Sequence, residues 1–417
     1  MSATHPAARV ANLVLRPVQA FVATESAGGI ALLAATIAAL AWANSPWDGS
    51  YRDLWSTHVG FDTGLISLRA SLVHAVNDGL MAIFFFLVGI EIKRELIDGE
   101  LASRQKAALP VAAAFGGMVV PALIYVAWNA GGEGAHGWGI PMATDIAFAL
   151  GVLALLGRQA PFALKVFLLA LAIVDDLGAI AVIAVFYTDT VAIAAIAWAI
   201  VMVAAIFAAQ RLRVASIPVY VVLGALLWLA VWKSGIHATV AGVILAALAP
   251  IHLPANVPGA EPPIEHVERL LHPWVSFLII PVFALANAGI PLSSGSIHAA
   301  ASSAVTAGVL TGLVLGKPIG IMLFAWLAIR LRLAAMPEGM DFVHIAGGAV
   351  LAGIGFTVSL FVTSLAFESN ALQEEAKVGI LAGSLVAGIA GFVYLWIAPG
   401  EDTIQRRRDL QRTESDV

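Results

Sequence analysis

Leu168-Leu169-Ala170-Leu171-Ala172-Ile173-Val174-Asp175-Asp176-Leu177-Gly178 is the stretch whose reading decides this chain. Apolar residues run from Val166 to Val174 before the two acids and from Ala179 to Phe186 after them. A run of that length is a membrane span. A carboxylate inside lipid is costly unless it faces a polar cavity or a partner. Two in succession, with no basic neighbour in sequence, mark a site, and the rest of the chain reads as the frame that holds it.

Composition agrees. Of 417 residues, 60% are hydrophobic and 12% charged, against about 25% charged in a soluble domain. The chain is therefore an all-α polytopic membrane protein. Its 38 glycines suit helices packed closely in lipid. With no cysteine, disulfides, thiol chemistry and Cys metal sites are excluded. Ten histidines without an HxxxH or HxH pair give no transition-metal site, and no cofactor is implied. A formal net charge of -5 and the lack of a basic tract with aromatics speak against nucleic acid as a partner.

Residues 1–25 read as a tail with an interfacial helix over 7–22. Arg9, Arg16, the apolar run Ile30–Leu40 and Ala41-Trp42-Ala43 imitate a secretory signal. The apolar stretch is long for that, so a retained first span is expected. A membrane domain over 26–398 follows, then a tail over 399–417. Twelve apolar segments are expected, at about 26–44, 72–92, 107–128, 140–156, 162–187, 190–209, 217–232, 236–250, 273–289, 303–329, 342–367 and 377–398. Between the first two, His58–Phe61 and Leu65–Arg69 flank Asp62-Thr63-Gly64, the pattern of a small extramembrane β-hairpin.

The charges orient the spans. One side carries only Arg52, Arg69, Lys233 and Lys377, whereas the tails and the even-numbered connections hold every other lysine and arginine except Lys317. By the positive-inside rule both termini are cytoplasmic. The fourth span has Pro141 and Asp145 where it should be apolar, and the eleventh carries Gly353-Ile354-Gly355 and two hydroxyls. Both read as discontinuous helices, tolerated only where protein or a water-filled cavity covers the unwound backbone. Spans 3–5 and 10–12 are then two three-helix units with broken middle members. They enter from opposite sides, as an inverted repeat, the arrangement that places a transporter site at midplane.

Four ionisable groups lie inside spans: Asp145, Asp175, Asp176 and Lys317. Successive helix residues diverge by roughly 100°, so one aspartate of the pair faces a central cavity while the other meets a neighbouring helix. Lys317, between Gly316 and Pro318, suits the second role. Asp145 sits at the break in span four, with the Thr144 hydroxyl beside it. Close acids titrate as a unit. A small hard cation prefers the same oxygens as a proton, so the two exclude one another, and mutual exclusion is antiport.

These residues resemble the NhaA family of sodium/proton antiporters. The resemblance rests on Asn77-Asp78-Gly79-Leu80-Met81-Ala82, Gly89-Ile90-Glu91-Ile92-Lys93-Arg94-Glu95-Leu96, Ala143-Thr144-Asp145-Ile146-Ala147-Phe148 and Ile173-Val174-Asp175-Asp176-Leu177-Gly178-Ala179-Ile180. It continues in Gly235-Ile236-His237-Ala238-Thr239-Val240-Ala241-Gly242, His272-Pro273-Trp274-Val275, Gly316-Lys317-Pro318-Ile319-Gly320 and Gly353-Ile354-Gly355-Phe356-Thr357. It implies that Asp176 is the principal Na+/Li+ and proton carboxylate, with Asp175 its partner and the salt-bridge acceptor of Lys317. Asp145 and Lys317 would compensate half-helix dipoles where spans four and eleven cross, with Thr144 beside the ion. It further implies electrogenic exchange switched on at alkaline pH, a pH-sensing cluster of Glu91, Arg94, Glu95, Glu268 and His272, and a homodimer through the 57–69 hairpin in an inner membrane. Arg269 departs from the pattern, where the family's histidine is expected. A fixed charge cannot titrate there, so the pH threshold is expected to shift.

Three rival readings fit the sequence less well. An intramembrane aspartyl protease needs Gly-x-Gly-Asp, which is missing. A sodium-coupled solute symporter shares broken helices and midplane acids but needs a larger polar pocket. A channel would need a ring of identical acids, which one chain does not supply.

Overall fold

In a bilayer the backbone must satisfy its own hydrogen bonds, and the long apolar segments do so as helices. The computed structural model describes residues 27–62, 67–188, 192–212, 214, 216–249 and 263–400. The expected tail helix over 7–22 and the tail beyond residue 400 lie outside them.

The helices are α1 (Ala27–Ala43), α2 (Asp48–Ser56), α3 (Leu72–Ile97) and α4 (Arg104–Asn129). A 3-10 arm, Glu133–Met142, leads into α5 (Ile146–Leu156). Then come α6 (Phe162–Phe186), α7 (Ile193–Arg211), α8 (Ile217–Trp232), α9 (Thr239–Leu248) and α10 (His266–Asn287). The chain closes with α11 (Ser294–Ser302), α12 (Ala304–Arg330), α13 (Phe342–Ala352), α14 (Phe356–Ala366) and α15 (Asn370–Ile397). Seven of these (α3, α4, α6, α7, α10, α12 and α15) are long and apolar enough to cross a membrane. The number rises to ten if each of three bent pairs is one span, and α8 and α9 are shorter apolar helices.

Two bends fall where proline or glycine interrupts the apolar pattern: 41° between the arm and α5, and 45° between α13 and α14. The third is 113° between α1 and α2, and an exposed Asp48–Arg52 ion pair lies on α2. Helix α2 is an addition to the sequence reading, which had only polar turns there. Tyr51 anchors it by donating its hydroxyl to the Leu285 carbonyl at 2.8 Å. The hairpin forms as two antiparallel strands, β1 (His58–Asp62) and β2 (Ser67–Ser71), with His58 opposite Ser71. The described part of its second strand starts at Ser67, and the expected strand residues 65 and 66 lie, with 63 and 64, outside the described set.

The helix that carries α10 begins at Pro263, earlier than the expected 273, because charged residues that mask its apolar signal are already helical. It carries a π-turn at Val275–Ile279, just before Pro281, and α12 has another at Gly312–Gly316, just before Pro318. Proline brings no N–H to the ladder, and a π-turn absorbs the missing bond without ending the helix. The second turn sets the position of Lys317. At the crossing of α4 with α12, a Cβ on Gly320 would lie 2.1 Å from the Gly116 carbonyl oxygen. Only glycine allows the two backbones to touch, and Lys317 is fully buried on the same helix as Gly320.

Candidate functional site

Asp175 and Asp176 are both buried on α6. Their divergence around the helix sends them to different neighbours. Asp175 meets α12, where the fully buried Lys317 donates Nζ to its Oδ2 at 2.6 Å. The same ammonium donates to the Thr144 hydroxyl. Thr144 Oγ1 in turn donates to the Ala352 carbonyl, at the end of α13, at 3.1 Å.

Thr144 and Asp145 stand in the gap between the arm and α5, and this gap crosses the gap between α13 and α14. Each break satisfies the other's polar groups. The Asp145 N–H donates to the Ile354 carbonyl at 2.6 Å, and Ser359 Oγ donates to the Ile140 carbonyl at 2.7 Å. The Asp145 carboxylate caps two helices. Oδ1 accepts the Phe148 N–H of α5 at 3.0 Å. Oδ2 accepts both the N–H (3.0 Å) and the hydroxyl (2.6 Å) of Thr357 at the start of α14. A negative charge at two helix N-termini, where orphan N–H groups converge, is the electrostatically favoured arrangement. Gly353 and Gly355 allow the approach. A Cβ on Gly353 would lie 2.5 Å from the Leu313 carbonyl, and one on Gly355 3.0 Å from the Ala143 carbonyl. Neither has a positive φ, so closeness and not backbone strain demands glycine here.

Asp176 is different. Its Oδ1 is buried and has no hydrogen-bond partner among the described residues, and the same holds for Oδ1 of Asp175. Native interiors rarely leave a buried carboxylate oxygen unmet. An acid pair held at a crossing of broken helices, one member neutralised by an internal lysine and the other not, suits the binding of a small cation.

Comparison with known proteins supplies the family. The family model described as Na+/H+ antiporter 1 matches residues 19–395. The Na(+)/H(+) antiporter NhaA of Shewanella loihica is 47% identical over 383 residues, covering 91% of this chain and 97% of that protein. That of Shewanella frigidimarina is 49% identical over 386 residues, covering 92% and 96%. NhaA 2 of Syntrophotalea carbinolica is 45% identical, covering 91% and 96%. The chain belongs to the NhaA family of Na+/H+ antiporters.

The resemblance drawn on short motifs thus extends over nearly the whole NhaA length. Of the five residues expected at the ion site, the structure joins Asp175, Lys317 and Thr144 in one hydrogen-bonded chain, with Asp145 adjacent through the crossing; Asp176 adjoins them on α6. The expected pH-sensing residues divide. Arg94 of α3 and Glu268 of α10 form an ion pair. Glu91 is buried on α3, and His272 is half-buried on α10. Glu95 accepts the Glu100 N–H at 2.8 Å beyond the end of α3. Arg269 is exposed, with Nη2 3.4 Å from His266 Nδ1. The site also includes Thr357, to which the sequence reading gave no role. A hydroxyl just after Gly353-Ile354-Gly355, where a helix must restart, was the available signal. Ser359, the second hydroxyl of that run, ties α14 to the arm.

Proposed function

We propose that this protein exchanges sodium, and lithium in its place, for protons across a cell membrane, with cation and protons competing for Asp176 and Asp175. The observation that carries this reading is the buried, unpartnered oxygen of Asp176 beside an Asp175 already neutralised by Lys317. A buried carboxylate without an internal counterion is neutralised by whichever cation arrives. Sodium and a proton cannot both use the same lone pairs, so each expels the other. Alternating exposure then couples their movements.

Asp145 in this reading is no mobile ligand, because both its oxygens accept N–H or O–H groups at helix starts. It holds the crossing in shape and contributes a fixed negative charge. Sodium shared by both aspartates would release Lys317 from its counterion. The lysine proton then becomes a second exchanged proton, and the cycle moves net charge. Glu91, Arg94, Glu95, Glu268 and His272 form the regulatory cluster of the proposal, with Arg269 shifting its threshold. We place the protein in an inner membrane, as twelve spans with an inverted repeat and two interrupted helices, both termini cytoplasmic. Two copies would meet through the β1–β2 hairpin, whose strands leave unpaired edges.

The test is a pH dye trapped in proteoliposomes and a sodium pulse. The wild type should change internal pH with no organic solute present, and a strict need for such a solute would favour a symporter instead. Asp176→Asn should fold and exchange nothing. Residual sodium-driven proton movement in that variant would end the assignment.

A further inference from the structure

Helix α9 is only ten residues long, about 15 Å at the usual rise and about half a bilayer. Its carboxyl end presents orphan carbonyls that need donors. Side chains from two other helices supply them. Lys93 of α3 donates Nζ to the Ala247 and Ala249 carbonyls, both at 2.6 Å. Gln210 of α7 donates Nε2 to the Leu248 carbonyl at 2.5 Å. A cation at a helix C-terminus also opposes the negative end of its dipole.

The same two helices touch backbone to backbone further along. A Cβ on Gly242 of α9 would lie 2.2 Å from the Ala82 carbonyl oxygen of α3, and one on Gly89 of α3 would lie 2.7 Å from the Ala246 Cβ. Toward its other end, α9 borders a small void with α3 and α6, lined by Phe85, Ile180, Thr239 and Val243. Ile180 lies one turn beyond Asp176 on α6. Next to Lys93 in sequence, Arg94 holds α10 through Glu268. The Lys93-Arg94 dipeptide therefore grips both helices that flank the 249–263 connection.

From this we infer that Lys93 is a positioning residue for exchange: it caps α9, makes α3 and α9 one rigid unit, and transmits movement at the Arg94–Glu268 contact to the helix facing α6 beside Asp176. Lys93 does not touch the ion. Its loss slows the cycle without weakening ion binding. The inference rests on the exchange reading above.

The experiment measures sodium-driven proton exchange by full-length Lys93→Met, Lys93→Arg and Gln210→Leu proteins in proteoliposomes, with rates divided by the amount of folded protein. Sodium titrations separate the maximum rate from the half-saturating concentration. Lys93→Met should lose roughly tenfold in maximum rate, about 1.4 kcal/mol of barrier. Its half-saturating sodium concentration should stay within a factor of about two. Lys93→Arg should recover most of the rate, and Gln210→Leu should fall between them. A wild-type maximum rate per folded Lys93→Met molecule reduces the residue to a plain helix cap and overturns the inference. A shift in half-saturation as large as the fall in rate overturns it too, because Lys93 would then act on the ion. Should Lys93→Met not fold, the other two variants decide: a Gln210→Leu rate equal to wild type, or a Lys93→Arg rate no better than background, refutes the coupling. A silent wild type would instead sink the exchange reading itself.

Discussion

Breaking and then rebuilding the Asp175–Lys317 pair separates what holds this site together from what transports. The two side chains are 1% and 0% exposed, and Lys317 Nζ lies 2.6 Å from Asp175 Oδ2. At an effective dielectric of about 20, that separation corresponds to roughly 6 kcal/mol of attraction. Most of it offsets the cost of removing both charges from water. Lys317→Met leaves Asp175 buried beside Asp176 with no cation, and Asp175→Leu leaves the ammonium with only the Thr144 hydroxyl. Each single change is expected to cost about 3–5 kcal/mol. The double variant Asp175→Leu/Lys317→Met removes both charges at similar volume and should lie within about 1–2 kcal/mol of wild type. The coupling energy from the cycle is therefore several kcal/mol and favourable. Thermal unfolding of purified protein in detergent, followed by tryptophan fluorescence, ranks the four proteins. Single variants as stable as wild type, or a double variant no better than the sum of the singles, would refute a buried, mutually dependent pair. Exchange by the double variant, if it persists, must carry fewer charges per cycle, because the second proton carrier has been removed.

Other outcomes follow from the same geometry. Asp145→Ala strips the acceptor from three donors, each worth about 1–3 kcal/mol when buried and unmet. It should unfold well below Asp145→Asn, which keeps one acceptor oxygen, and both should bind sodium more weakly. Equal melting of the two would mean that the carboxylate is not the cap described. Gly355→Ala must force a methyl group to within 3.0 Å of the Ala143 carbonyl, with an expected loss of about 1–3 kcal/mol. Unchanged unfolding and transport would show that the crossing has slack. Arg269→His replaces a permanent charge with one lost above about pH 6.5. The two proteins should behave alike in acid and diverge as pH rises through that value, and coincident pH–rate profiles would remove the position from regulation.

The sequence alone determined where the protein meets lipid and where that rule is broken. Inside a bilayer an acid, a lysine or a glycine pair is costly enough to stand out without any partner being known, so Asp145, Asp175, Asp176, Lys317 and both interrupted segments were legible. The hairpin was legible for a local reason too, its alternation around a turn, although its register was not. What needed the tertiary structure was every relation between helices. Which aspartate takes Lys317 depends on the rotation of α6 against α12, a relation between two residues 142 positions apart in sequence. The pairing of Thr357 with Asp145 joins residues 212 positions apart, through two helix starts whose orphan N–H groups have no signature in composition. Lys93 reads in sequence as one more charge at the end of a span, and only the folded chain brings the carbonyls of Ala247 and Ala249 beneath it. Burial penalties act on single residues and can be read one at a time. Hydrogen-bond partnership is a property of geometry between segments, and the order of residues along the chain does not contain it.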